Sequence, residues 1–254
     1  MPGLEPGTTL LFNDWDTRYY SDNSLAAPLN WLYAPENDTP EMQYMFYYPE
    51  VRLGLGLEAL EPGISIEQNY LAARFSGSTS QMVALNYSSS SCLRVLDPDL
   101  DVVNWMVPPL MQDAASLSNS ALILSVDEQQ AVRPMESIFG EEPSPSWCFY
   151  LAKAELARQM GDWDQVVSLG DKAFNLDDHP NDPSERLVYI EGYAHAGNWE
   201  RAVELSWESE QVNEFMRPVL CELWKRIETT VTVPTGGNED PVEEMRIGLE
   251  CGDW

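Results

Sequence analysis

The chain has 254 residues, enough for one large domain or two of ordinary size with a sizeable core. Hydrophobic residues make up 44% and aromatics 11%, which excludes general disorder, because low apolar content is what keeps a chain unfolded. Forty-two Asp and Glu against 14 Lys and Arg give a formal net charge of −28, which argues against nucleic acid and anionic membrane surfaces as partners, since both are bound through basic stripes.

Residues 8–12 form a short apolar run between Pro6-Gly7 and Asn13-Asp14, the pattern of a buried strand ended by turn residues. Residues 21–33 follow as a helix capped by Ser21 or Asp22, with Leu25, Leu29, Leu32 and Tyr33 on one face and Pro28 weakening its first half. The aromatic run 43–48, closed by Pro49, predicts a second strand. Residues 81–87 and 92–96, separated by four serines, predict a hairpin that Asp97-Pro98 stops. A helix over 107–117 and a buried strand over 121–126 complete the first part. Strands interleaved with helices, two of them adjacent, predict an α/β domain over 1–132 with a small mixed sheet.

The segment 133–146 carries Pro134, Gly140, Glu141, Glu142, Pro143 and Pro145 and reads as a linker. From Trp147 the character is helical to 228, and 229–254 is a tail with a short helix candidate that Asp240 would cap. Within the helical part, Gly161-Asp162-Trp163-Asp164-Gln165-Val166-Val167 returns as Gly197-Asn198-Trp199-Glu200-Arg201-Ala202-Val203, an offset of 36 residues. A self-match at that period predicts stacked helical hairpins: 147–160 with 163–176, then 183–196 with 199–211. Gly permits the backbone of a helix end, and Asp or Asn caps the next helix. A further helix over 217–228, striped with Val219, Leu220, Leu223, Trp224 and Ile227, is placed to cover one end of the stack.

Residues 147–211 resemble the tetratricopeptide repeat family, with Ala154, Ala173 and Ala202 at its small helix-crossing positions and Pro180 where a unit closes. Val166 in place of Ala, Ile190 at a position usually small, and two residues beyond the usual length of about 34 depart from it. The resemblance implies an all-α domain of helical hairpins after the α/β part, with a protein or peptide partner lying along the first helices of the pairs. On those helices it offers Glu155, Arg158, Gln159, Glu191 and His195.

Candidate chemistry is sparse. Asp14 and Asp16 follow the first strand, and Asp97 and Asp99 follow the hairpin. Were the strands ending at Phe12 and Leu96 parallel neighbours, these four carboxylates would share a rim able to bind a divalent cation weakly. That is the alternative function, a metal-dependent enzyme or cation site for glycosyl or phosphoryl chemistry; otherwise no cofactor is expected. The loop 97–108 lacks the Gly and Glu of a calcium-binding hand, and Gly54-Leu55-Gly56 is not set between a strand and a helix as a dinucleotide loop would be. His179 and His195 both fall in the helical half, so Cys92 has no histidine in its own domain to activate it. Cys92, Cys148, Cys221 and Cys251 have no zinc-like spacing, and their pairing is not readable.

No segment approaches the run of about 18 apolar residues that spans a membrane, and Met1-Pro2-Gly3 does not open a signal peptide; the start reads equally as a cut in a longer protein. Residues 6–11, 18–24, 34–35, 77–81 and 92–98 weakly resemble the water-soluble tails of bacterial multi-pass membrane proteins of glycosyltransferase-like type. That resemblance implies an extracytoplasmic place, beside an upstream membrane region of the same polypeptide, and no activity; a cytoplasmic location stays open. The expected function is a non-catalytic interaction or assembly module without membrane insertion of its own.

Overall fold

The computed structural model describes residues 3–13, 21–125, 136–141, 144–233 and 240–252. The chain divides into two compact units, and the division is not a single cut. Unit 1 holds Met1–Ser88, Arg94–Pro98 and Pro109–Ser144; unit 2 holds Ser89–Leu93, Asp99–Pro108 and Pro145–Trp254.

Unit 1 begins with β1 (Gly3–Leu4) and β2 (Thr9–Phe12), then α1 (Asp22–Tyr33), β3 (Met45–Tyr47) and the short α2 (Pro49–Arg52). The strands β4 (Ser65–Tyr70), β5 (Ala73–Ser78), β6 (Met82–Asn86) and β7 (Arg94–Val95) follow, then α3 (Pro109–Ala115), β8 (Ile123–Leu124) and α4 (Glu136–Phe139). Its main sheet is mixed, in the order β3-β2-β6-β7. β2 lies between two parallel partners, with Leu11 opposite Tyr47 and Ala84, and β7 returns antiparallel on β6. Every residue of β2 is buried, as an apolar run in a parallel sheet requires. Ser21 caps α1 by accepting from the Ser24 amide, and Pro28 sits inside the helix without ending it. Asn30 fastens α1 to the next strand: its Oδ1 accepts from the Gln43 and Tyr44 amides at 2.7 and 3.0 Å, and its Nδ2 donates to the Tyr44 carbonyl.

Two features differ from the sequence expectation. Of the run 121–126, the described residues 121–125 supply only β8, which pairs with β1 in a separate two-stranded sheet and leaves Leu124 exposed, and residues 120–122 are wound into a 3-10 turn. The ribbon β4–β5 was not anticipated; only Ile66 and Phe75 of it are fully buried, so no apolar alternation marks it.

Unit 2 contains α5 (Trp147–Gln159), α6 (Trp163–Ala173), α7 (Leu187–His195), α8 (Trp199–Val212), α9 (Arg217–Thr230) and α10 (Pro241–Gly248). α5 packs on α6, α6 on α7, α7 on α8, and α9 on α7 and α10, around a core that includes Trp147, Tyr189, Ile190 and Trp224. The two turns at the 36-residue offset match bond for bond. Gly161 and Gly197 have φ of 69° and 75°. The Asp162 amide donates to the Ala157 carbonyl at 2.9 Å, and the Asn198 amide to the Tyr193 carbonyl at 2.8 Å. Asp162 caps the Gln165 amide as Asn198 caps that of Arg201. Val166 and Ala202, equivalent in sequence, are both fully buried. The larger Val166 fits because Gly192 faces it on α7: a Cβ there would stand 2.4 Å from Val166 Cγ1.

All four cysteines are paired. Cys92 bonds Cys148 and Cys221 bonds Cys251, with Cα separations of 5.3 and 5.7 Å. The second disulfide fixes the chain just after α10, a helix that sends Val242 and Met245 into the core, with Leu249 following at its end. Among the described residues no helix is long and apolar enough to cross a membrane.

Candidate functional site

Along α5 and α7, the structure gathers residues that the family resemblance would offer to a peptide and makes them one another's partners. Arg158 lies 3.1 Å from Glu155, one turn back on the same helix, and 3.5 Å from Glu191 on α7. Arg226 of α9 reaches the same Glu191 carboxylate at 2.9 Å and comes within 3.9 Å of Asp99. Glu191 is only 4% exposed, so its charge is held between two guanidiniums rather than presented to solvent. A buried carboxylate is tolerated only when so compensated, and the cluster therefore braces α5, α7 and α9. Gln159 is half-buried at the end of α5. His195 stacks flat on Trp163 of α6, and its Nε2 is 3.5 Å from Thr230 Oγ1. Burial pushes the imidazole below its ordinary value; Glu191 opposes that shift and Arg226 adds to it.

The acidic rim depends on strand geometry that the sheet does not supply. β6 lies between β2 and β7, and β7 runs antiparallel to both, so Leu96 and Asp97 point back along the sheet rather than toward the carboxyl end of β2. Asp97 is buried in unit 1, whereas Asp99 belongs to unit 2 and is exposed. Asp14 and Asp16 lie outside the described residues. Among those described, no three His, Cys, Asp or Glu side chains gather as metal ligands would. Gly54 and Gly56 adopt φ of 79° and 105° in a tight loop after α2, in which the Gly54 amide donates to the Leu57 carbonyl. His179 is exposed in the turn after α6, and Cys92 is committed to its disulfide.

Three groupings escaped sequence reasoning. In unit 1, Asp22 at the start of α1 forms a two-point ion pair with Arg52, whose Nη2 donates to Oδ1 at 2.6 Å. That guanidinium lies 5.1 Å from the Tyr47 ring, and the Tyr47 hydroxyl, pushed up to about 12 chiefly by burial, bonds Gln68. In unit 2, the buried Glu185 accepts from the Trp147 indole at 2.8 Å and the Cys92 amide at 2.6 Å. Nothing in local spacing links residues so far apart. The third grouping is on the surface of unit 2, where Trp105 and Phe215 meet with ring centroids 5.7 Å apart. An open pocket of about 300 Å³ beside α6–α8 is lined by Asp171, Tyr193, Asn198, Glu200, Arg201 and Glu204. Three of its charges are already engaged: Tyr193 donates to Asp171 at 2.6 Å, and Arg201 to Glu204 at 2.5 Å.

Compared with models of protein families, with curated proteins and with solved structures, the chain matches none.

Proposed function

We propose that this chain is a non-catalytic protein-interaction or assembly module, its helical half built of tetratricopeptide-like hairpins, and that it works outside the cytoplasm as the water-exposed part of a larger membrane protein. The observation that carries the reading is the Gly-Asx-Trp turn repeated at 36 residues with the same caps and the same backbone bonds. Stacked units of that kind build extended surfaces, and binding across surfaces is their usual use. The pairing of all four cysteines supports the location, because disulfides persist in oxidising compartments and are rare where thiols are kept reduced. The bracing of Glu155, Arg158, Glu191 and Arg226 among themselves moves the expected contact surface away from the first-helix face.

Photo-crosslinking in the native cell tests the reading, with the crosslinker placed in turn on exposed positions of unit 2. One saturable protein neighbour, recovered from adjacent positions only, is the expected result. Recovery of none from any position removes the interaction role. An export-dependent enzyme fused after Trp254 should be active; inactivity removes the location.

A further inference from the structure

Large apolar side chains of unit 2 stand together in water. Trp105 is 61% exposed, Val212 59%, Phe215 48% and Met106 36%. They come from two segments far apart in sequence, joined by the Trp105–Phe215 ring contact and by the Asn213 side chain, whose Nδ2 donates to Met106 Sδ at 2.9 Å. Both segments are held from beneath. Asn104 is fully buried, donates to Asp101 Oδ1 at 2.8 Å and accepts from the Met106 amide at 3.1 Å, so the turn that carries Trp105 is built from inside. Asn213 likewise accepts from the Phe215 amide at 3.0 Å while Met216 is buried. Exposed Trp, Phe and Met on a preorganised support match the composition of binding hot spots, because little side-chain freedom is left to lose.

The charge around this patch selects the occupant. Beside it Glu214 is exposed, and the nearest guanidinium along the chain, Arg217, is taken up by Glu210 at 2.7 Å and approached by Glu250 at 3.7 Å. With a chain charge of −28, a second copy would meet like charge, whereas a basic rim would be drawn in.

We propose that Trp105, Met106, Val212 and Phe215 form the docking surface for a protein partner that presents an apolar anchor flanked by Lys or Arg. This rests on the interaction-module reading and names the surface and the partner chemistry.

The test uses the full chain and two fluorescent peptides, each with two leucines and a phenylalanine, flanked by lysines in one and by glutamates in the other. Anisotropy should show binding of the lysine peptide alone. Trp105→Ala and Phe215→Ala should each weaken it about tenfold, and Glu214→Lys by a smaller factor, with thermal melting unchanged since all three sites are exposed. Equal binding of the glutamate peptide, or binding of neither, overturns the proposal. So does self-association, or uptake onto neutral phosphatidylcholine vesicles, that Trp105→Ala abolishes. Undiminished binding by both alanine variants also removes this patch but leaves an interaction role elsewhere on the chain, which the crosslinking experiment decides separately.

Discussion

The imidazole of His195 lies parallel to the indole of Trp163, 3.7 Å between ring centroids and 7° between planes, so that the end of α7 is seated on the start of α6. Burial favours the neutral ring, so the folded chain releases a proton that the unfolded chain holds. Stability from this group is thus complete above the unfolded value of about 6.5 and is lost as pH falls below it. Thermal melting followed from pH 8 to 5 should begin to decline near pH 6.5. In His195→Gln that part of the decline should vanish, leaving only the carboxylate-driven fall at lower pH.

Glu191 is the hinge of the charge cluster. Replacing it with Ala takes from Arg158 and Arg226 the buried carboxylate they share, leaving Glu155 at 3.1 Å from the one and Asp99 at 3.9 Å from the other, and removing one partner of a buried pair typically costs about 3–5 kcal/mol. Denaturant unfolding should show a loss of that order. The triple change with Arg158→Met and Arg226→Met should recover most of it.

Gly192 and Val166 form a matched pair across α6 and α7. Gly192→Ala places a methyl 2.4 Å from Val166 Cγ1 and should destabilise by about 1–3 kcal/mol, the usual cost of overpacking. Val166→Ala introduces the residue found 36 positions later in the second Gly-Asx-Trp motif, Ala202. The double variant should be more stable than Gly192→Ala alone, a coupling that a double-mutant cycle measures directly.

The two disulfides close spans of 56 and 30 residues. Chain-entropy reasoning gives about 4 kcal/mol for each, slightly more for the longer. Melting with and without reductant should show a large drop for the wild type, a smaller one for Cys221→Ser with Cys251→Ser, and none once all four cysteines are serine.

The Asp22–Arg52 pair offers the same test in unit 1. Asp22→Ala removes both a helix-start acid and the partner of a guanidinium only 16% exposed, and about 3 kcal/mol should be lost.

Much of this architecture is legible in the sequence wherever a local period exists. The stripe of Val219, Leu220, Leu223, Trp224 and Ile227 announces α9, and all five side chains are buried there. The apolar run before Asn13 announces β2 in the same way. The β4–β5 ribbon stays hidden because it buries just Ile66 and Phe75 and turns through Leu71, a non-glycine residue with φ of 55°. The candidate site is less legible still. Glu155, Arg158, Glu191 and His195 can be placed on helices, but sequence does not show that α9 brings Arg226 against them, because that contact spans 35 residues without a repeating pattern. The strand direction that separates Asp97 from the end of β2 is likewise set by pairing across the sheet.

The division of the chain has a practical corollary for anyone cutting it. A fragment that starts at Pro145 looks like a self-sufficient helical protein, yet it would lack Ser89–Leu93 and Asp99–Pro108. Cys148 would then carry an unpaired thiol, Glu185 would lose the Cys92 amide, and the gap left by Leu100 would open the interior to water. Such a piece would tend to cross-link and precipitate, and its behaviour would say little about the intact polypeptide.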